Sequence, residues 1–97
     1  MPTGPYYRGG SSLKPFPHEV RYNPTTGLLR TTHGVSIWDR QNGLERFGGA
    51  YKVKYLPPEL AIIQRGRDPH HFEIVPAQEM TFVEYDLALS LVVLSKV

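Results

Sequence analysis

The sequence contains no cysteine. That excludes a disulfide framework, a thiol nucleophile and a Cys-based zinc site, and it fits a reducing cytoplasm. Fold stability must then come from the packed core alone. Long apolar runs are also missing. The longest, around Leu87 to Leu94, is too short and too interrupted to cross a bilayer. The first residues, Met-Pro-Thr-Gly-Pro-Tyr-Tyr-Arg, lack the apolar core of a secretory signal, so the expected location is the cytoplasm, of the producing cell or of a recipient. Charge of one sign is scarce: the formal net charge of +2 is too small to argue for nucleic acid. There is no Gly-rich phosphate loop of P-loop or Rossmann type and no nucleophile elbow. Any nucleotide would therefore be held in a cleft made by strands.

The length of 97 residues fits one domain, residues 1–97, with a modest core. A hydrophobic fraction of 40% and a charged fraction of 21% exclude a disordered chain. Nine Pro and nine Gly cut the sequence into short segments, which argues for strands rather than a helix bundle. Tyr6-Tyr7-Arg8 reads as a first strand ended by Gly9-Gly10. Asn23-Pro24-Thr25-Thr26-Gly27 is a turn. Leu28 to Arg30 is a short strand or the start of a helical turn. Val35 to Trp38 is β-prone, Asn42-Gly43 is a tight turn, and Leu44 to Phe47 is expected to return as a hairpin. Tyr51 to Tyr55 alternates cleanly, and Pro57-Pro58 stops it. Leu60 to Gln64 is a strand whose apolar run predicts burial on both faces. His70 to Val75 is another, with His71 and Glu73 on one face and Phe72 and Ile74 on the other. Thr81 and Glu84 form a capping box that opens a helix expected to reach about Ser95, with a final strand as the competing reading because Val92 and Val93 are β-branched.

Three polar elements stand out. Arg8 precedes two glycines, a place where a backbone-hugging phosphate can be clamped. A solvated surface Arg is the plainer alternative. Ser36 lies in an apolar stretch and needs a hydrogen-bond partner, either a site residue or the backbone. His71 and Glu73 share a strand face, where a carboxylate lends an imidazole orientation and basicity. That pair suits ribose binding or general-base work. It makes a poor metal site, because His18 and His33 are too scattered to complete a ligand set.

Tyr6-Tyr7-Arg8, Gly34-Val35-Ser36-Ile37-Trp38-Asp39, Leu56-Pro57-Pro58-Glu59-Leu60 and His71-Phe72-Glu73-Ile74-Val75-Pro76-Ala77 followed by Met80 resemble, in order and spacing, a small toxin family. That family includes a cytoplasm-acting effector of the Pseudomonas type VI secretion system and is similar in fold to ADP-ribosyltransferases. The resemblance implies an α+β fold: a mostly antiparallel, curved and split β core around an NAD cleft, with a C-terminal helix. It implies an NAD-dependent toxin that transfers ADP-ribose to an unknown macromolecular target, or hydrolyses NAD, and arrests growth. A cognate antitoxin or immunity protein would neutralise it. Residue by residue, it implies a catalytic set of Arg8, Ser36, His71 and Glu73, with His71 at the position of the family's acidic residue. It places Tyr7, Arg8, Gly9, His33, Ser36, Trp38 and Tyr51 around NAD. No membrane partner is implied. Two other classes stay open: a ribonuclease-type toxin using His71, Glu73 and Arg65 or Arg67, and a non-enzymatic binding module with a Tyr/Arg patch.

Overall fold

The computed structural model describes residues 4–97. It is a small α+β structure: one six-stranded antiparallel sheet with one helix against it. The strands are β1 (Tyr7–Gly9), β2 (Val35–Trp38), β3 (Ala50–Tyr55), β4 (Leu60–Gln64), β5 (His71–Pro76) and β6 (Val93–Lys96), and the helix α1 is Phe82–Ser90. The spatial order is β4-β5-β2-β1-β3-β6. Among the described residues no helix is long and apolar enough to cross a membrane.

Side chains alternate across this sheet. One face carries Val35, Ile37, Leu60, Ile62 and Ile74, all buried, and α1 packs Tyr85, Ala88 and Leu89 onto it. The helix begins where the capping box is expected. The Glu84 amide donates to Thr81 Oγ1, and the Thr81 amide donates to Glu84 Oε1 at 2.8 Å. It stops at Ser90, short of Ser95. The β-branched Val92 and Val93 gain more by pairing, and Val93–Lys96 lines up along β3 as an edge strand.

Other local expectations need correction. Leu44 to Phe47 does not return as a hairpin; Glu45–Phe47 is a 3-10 turn closed by Gly48, and β2 pairs with β5 and β1 instead. β4 is not buried on both faces. It is an edge strand in which Leu60 and Ile62 are buried while Ala61 and Ile63 are half-exposed. Leu29 belongs to no strand but is fully buried and bridges Tyr22 and Met80.

The sheet is unevenly stitched. β4 and β5 register over five residue pairs, and β2 and β5 over four. β1 meets β3 over three, but meets β2 only at Tyr7 and Trp38. Beyond that pair β1 and β2 diverge. The sheet is therefore two three-stranded halves joined by one residue pair, and Arg8, Gly9 and Ser36 lie at the seam.

Candidate functional site

Arg8 follows the last paired residue of the seam. Its Nη1 donates to the Ser36 carbonyl at 2.7 Å and its Nε donates to the Ser12 carbonyl at 3.0 Å. A side chain thus supplies the cross-strand hydrogen bond that the diverging backbones cannot make. Burial lowers the Arg8 pKa, and Glu19 and Tyr85 oppose the shift. The guanidinium stays charged regardless, since its ordinary value lies far above neutrality.

On the face away from α1, Ser36 stands opposite Glu73 and Trp38 stands opposite His71. The His71 Nε2 lies 3.0 Å from Ser36 Oγ, and its Nδ1 lies 2.7 Å from the Arg65 carbonyl. A carbonyl only accepts, so Nδ1 carries a proton. In the neutral ring Nε2 then bears the lone pair and the Ser36 hydroxyl donates to it. The tautomer is set by a backbone group on the β4–β5 turn, where Gly66 takes φ +94°. The His71 side chain is 21% exposed, within reach of a ligand. Trp38 meets its ring edge-on at 5.7 Å and stacks on Phe47 at 6.4 Å.

Glu73 is different. It is only 2% exposed, and both oxygens are engaged. Oε1 accepts from the Gly34 amide at 2.9 Å, and Oε2 accepts from Arg65 Nε at 2.9 Å and from its terminal nitrogen at 2.8 Å. The hydrogen bond to Glu73 raises the Arg65 pKa. His71 Nε2 is 3.8 Å from Oε2, close enough for electrostatic influence but too far for a hydrogen bond. Glu73 thus acts as an anchor behind the site rather than as a group a substrate can touch.

The remaining expected residues divide. Tyr7 is buried, on the same face as Trp38. Gly9 leaves no room for a ligand: a Cβ there would come within 2.6 Å of the Phe47 ring, which fills the gap. His33 sits beside the Arg65–Glu73 pair. Burial lowers its pKa, as do Arg65 and Arg21, while Glu73 works in the opposite sense. Tyr51 pairs with Arg8 across β1 and β3, so both side chains start on the helix side, away from Trp38 and His71. There Tyr51 lines a groove of about 540 Å³ with Ser12, Lys14, Asp86 and Leu89; neither Ser36 nor His71 touches that groove. Among the described residues, no group of His, Asp and Glu is arranged to hold a metal.

Two residues of this arrangement carried no sequence signal as anchors. Arg65 holds Glu73 with its guanidinium and His71 with its carbonyl. Tyr85, on α1, donates its hydroxyl proton to the Ile74 carbonyl and accepts from the Val35 amide at 3.0 Å. Burial raises its pKa well above the usual phenol value. Arg65 and Glu73 lie eight residues apart across a short turn between two strands, a spacing that could have pointed to Arg65; nothing local points to Tyr85. The hydroxyl also explains Gly34, where any Cβ would collide with it and with the Ile74 carbonyl.

No family model, curated protein or solved structure matches the chain.

Proposed function

We propose that this chain takes NAD as a substrate at the β1–β2 seam and cleaves its nicotinamide–ribose bond, passing ADP-ribose to a nucleophile. The observation that carries this reading is the link at the β1–β2 seam: Arg8, from the helix side, holds the Ser36 carbonyl, and the Ser36 hydroxyl meets His71 on the opposite face. An Arg, a Ser and a polarised residue on successive seam strands is the order that the resemblance to ADP-ribosyltransferases implies, and a split sheet is the architecture it implies.

The chemistry suits these groups. When the glycosidic bond breaks, its electron pair leaves with the nicotinamide nitrogen and positive charge develops on the ribose. Glu73, neutralised by Arg65, contributes by fixing the turn whose carbonyl orients His71 rather than by facing that charge. The acceptor, water or a side chain of a target, attacks the ribose carbon and gives its proton to the His71 lone pair on Nε2. Trp38 offers a wall for a ring on the His71 face, while Arg8, whose side chain starts on the helix side, serves that face by holding the Ser36 carbonyl across the seam. On this reading the protein is a growth-arresting toxin, and a cognate antitoxin or immunity protein holds it in check.

The ribonuclease reading needs a second accessible acid–base group beside His71. Glu73 is buried and fully engaged, which weighs against it. Nicotinamide release from NAD by the purified protein, with and without cell lysate, tests the proposal. Release that disappears in His71→Ala supports it, and a requirement for lysate identifies a macromolecular acceptor. A folded protein that arrests growth yet releases no nicotinamide overturns it.

A further inference from the structure

Helix α1 is apolar on both sides. Tyr85, Ala88 and Leu89 point into the core, yet Val83, Leu87 and Leu91 recur every four residues on the outside and are 67, 63 and 55% exposed. An isolated exposed Leu needs no explanation; a stripe of three on one helix does. Beside it, Met80, Leu87, Ala88 and Leu91 line a groove of about 380 Å³. Its rim carries Glu59 and Glu84, while Asp86, on the other flank of the stripe, lines the neighbouring groove with Lys14.

Charge separates along the chain in the same sense. From Asp68 to Ser95 there are five carboxylates and no Lys or Arg, although the whole chain is net positive. Glu73 is turned inward onto Arg65, so the carboxylates near α1 keep no basic residue from their own segment. Two copies meeting through this face about a two-fold axis would bring acidic rims together. An anionic membrane surface would be repelled for the same reason.

We propose that the outer face of α1 is a docking surface for a basic amphipathic segment of a protein partner. Its aliphatic side chains would enter the Met80–Leu87–Leu91 groove, and its Lys or Arg would meet Glu59 and Glu84. This is the helix-in-groove mode of recognition, over about 12 Å of helix from Val83 to Leu91. The inference does not depend on NAD chemistry, because Ser36 and His71 face the other side of the sheet.

The test is fluorescence anisotropy with two labelled 18-residue amphipathic peptides, identical in their Leu face, one flanked by Lys and the other by Glu. The wild-type protein is expected to bind the Lys peptide at least tenfold more tightly than the Glu peptide, more weakly as salt rises. Leu87→Lys and Glu59→Lys, both at exposed positions, are each expected to weaken that binding at least tenfold while nicotinamide release and the far-ultraviolet spectrum stay as in the wild type. Equal binding of the two peptides, or binding unchanged in Leu87→Lys, overturns the proposal. So does failure of the wild type to bind the Lys peptide, or a wild-type dimer in sedimentation that Leu87→Lys abolishes without any peptide binding.

Discussion

The Arg8 guanidinium donates to the main-chain carbonyl of Ser36 at 2.7 Å across a seam where β1 and β2 share only one residue pair. A side chain here does the work of a missing backbone bond, and it does so with a positive charge. Arg8→Lys keeps the charge but loses the two-pronged reach to Ser36 and Ser12. It is expected to lower thermal stability by an amount corresponding to about 1–3 kcal/mol. Calorimetry checks the stability, and nicotinamide release, expected to fall at least tenfold, checks the role at the seam. An unchanged melting temperature would mean that the seam is held by something else.

Ser36 and His71 make a pair whose loss should be felt in chemistry more than in folding. Ser36→Ala removes one part-buried hydroxyl, which costs about 1 kcal/mol of stability. It also frees the His71 ring to reorient, so turnover of NAD should drop by more than the stability change alone explains. Ser36→Thr keeps the hydroxyl and should recover part of that activity. If both variants match the wild type in turnover, the Ser36–His71 contact has no role in the reaction.

Glu73 should behave in the opposite way. Glu73→Ala leaves the Gly34 amide and the Arg65 guanidinium without their partner, and is expected to destabilise by about 3 kcal/mol, as breaking a buried ion pair does. Arg65 is 43% exposed and can hydrate once Glu73 is gone, whereas Arg65→Ala strands the buried Glu73 carboxylate and should cost at least as much. Urea denaturation with both variants reads the difference. A Glu73→Ala protein as stable as the wild type would contradict the anchoring role.

The helix cap makes a pH-dependent contribution of known sign. The Thr81 amide hydrogen bond holds the Glu84 carboxyl below its usual range. The native state therefore binds that proton less readily than the unfolded chain does. The contribution is complete above the unfolded carboxyl pKa and fades as pH falls through the depressed native value. Thr81→Ala should cost about 1 kcal/mol at neutral pH. Glu84→Gln removes the titrating group, so its stability deficit relative to the wild type should narrow in acid, which melting curves between neutral and acid pH would reveal.

Tyr85 ties α1 to the strand pair that carries the site. Tyr85→Phe leaves the Val35 amide and the Ile74 carbonyl without the hydroxyl, and should destabilise by about 1–3 kcal/mol. Hydrogen exchange at the Val35 amide is the direct readout. Protection equal to that of the wild type would show that another group satisfies this amide.

What was legible in the sequence was local. The alternation in Tyr51–Tyr55 and in His71–Val75, the capping box at Thr81 and the breaks at Gly and Pro describe β3, β5 and the start of α1 closely. Leu44–Phe47 was not legible, because Leu44 is buried and the half-exposed Phe47 lies over Gly9 and Trp38 from a turn, and periodicity cannot tell that from a short strand. The site was half legible. Strand alternation places Ser36, Trp38, His71 and Glu73 on one face once β2 and β5 are known to pair, but that pairing spans more than thirty residues and is set by the whole core. The same alternation sends Tyr51 to the other face, and only the seam lets Arg8 reach Ser36. The anchors Arg65 and Gly34 act through main-chain atoms, which sequence patterns do not encode.

The uneven stitching of the sheet also fixes an order of assembly. The half made of β2, β4 and β5 lies within residues 35–76, so these strands can pair before β6 is made. The other half gathers residues 7–9, 50–55 and 93–96, and β6 follows the other five strands in the chain. Long-range pairings of this kind form late. Arg8 therefore rides on the half that closes last, whose outer edge is complete only once β6 has joined β3. Removing residues 93–97 would leave the β2–β5 and β4–β5 pairings in place and uncover the far edge of β3, the strand that supports β1 at the seam.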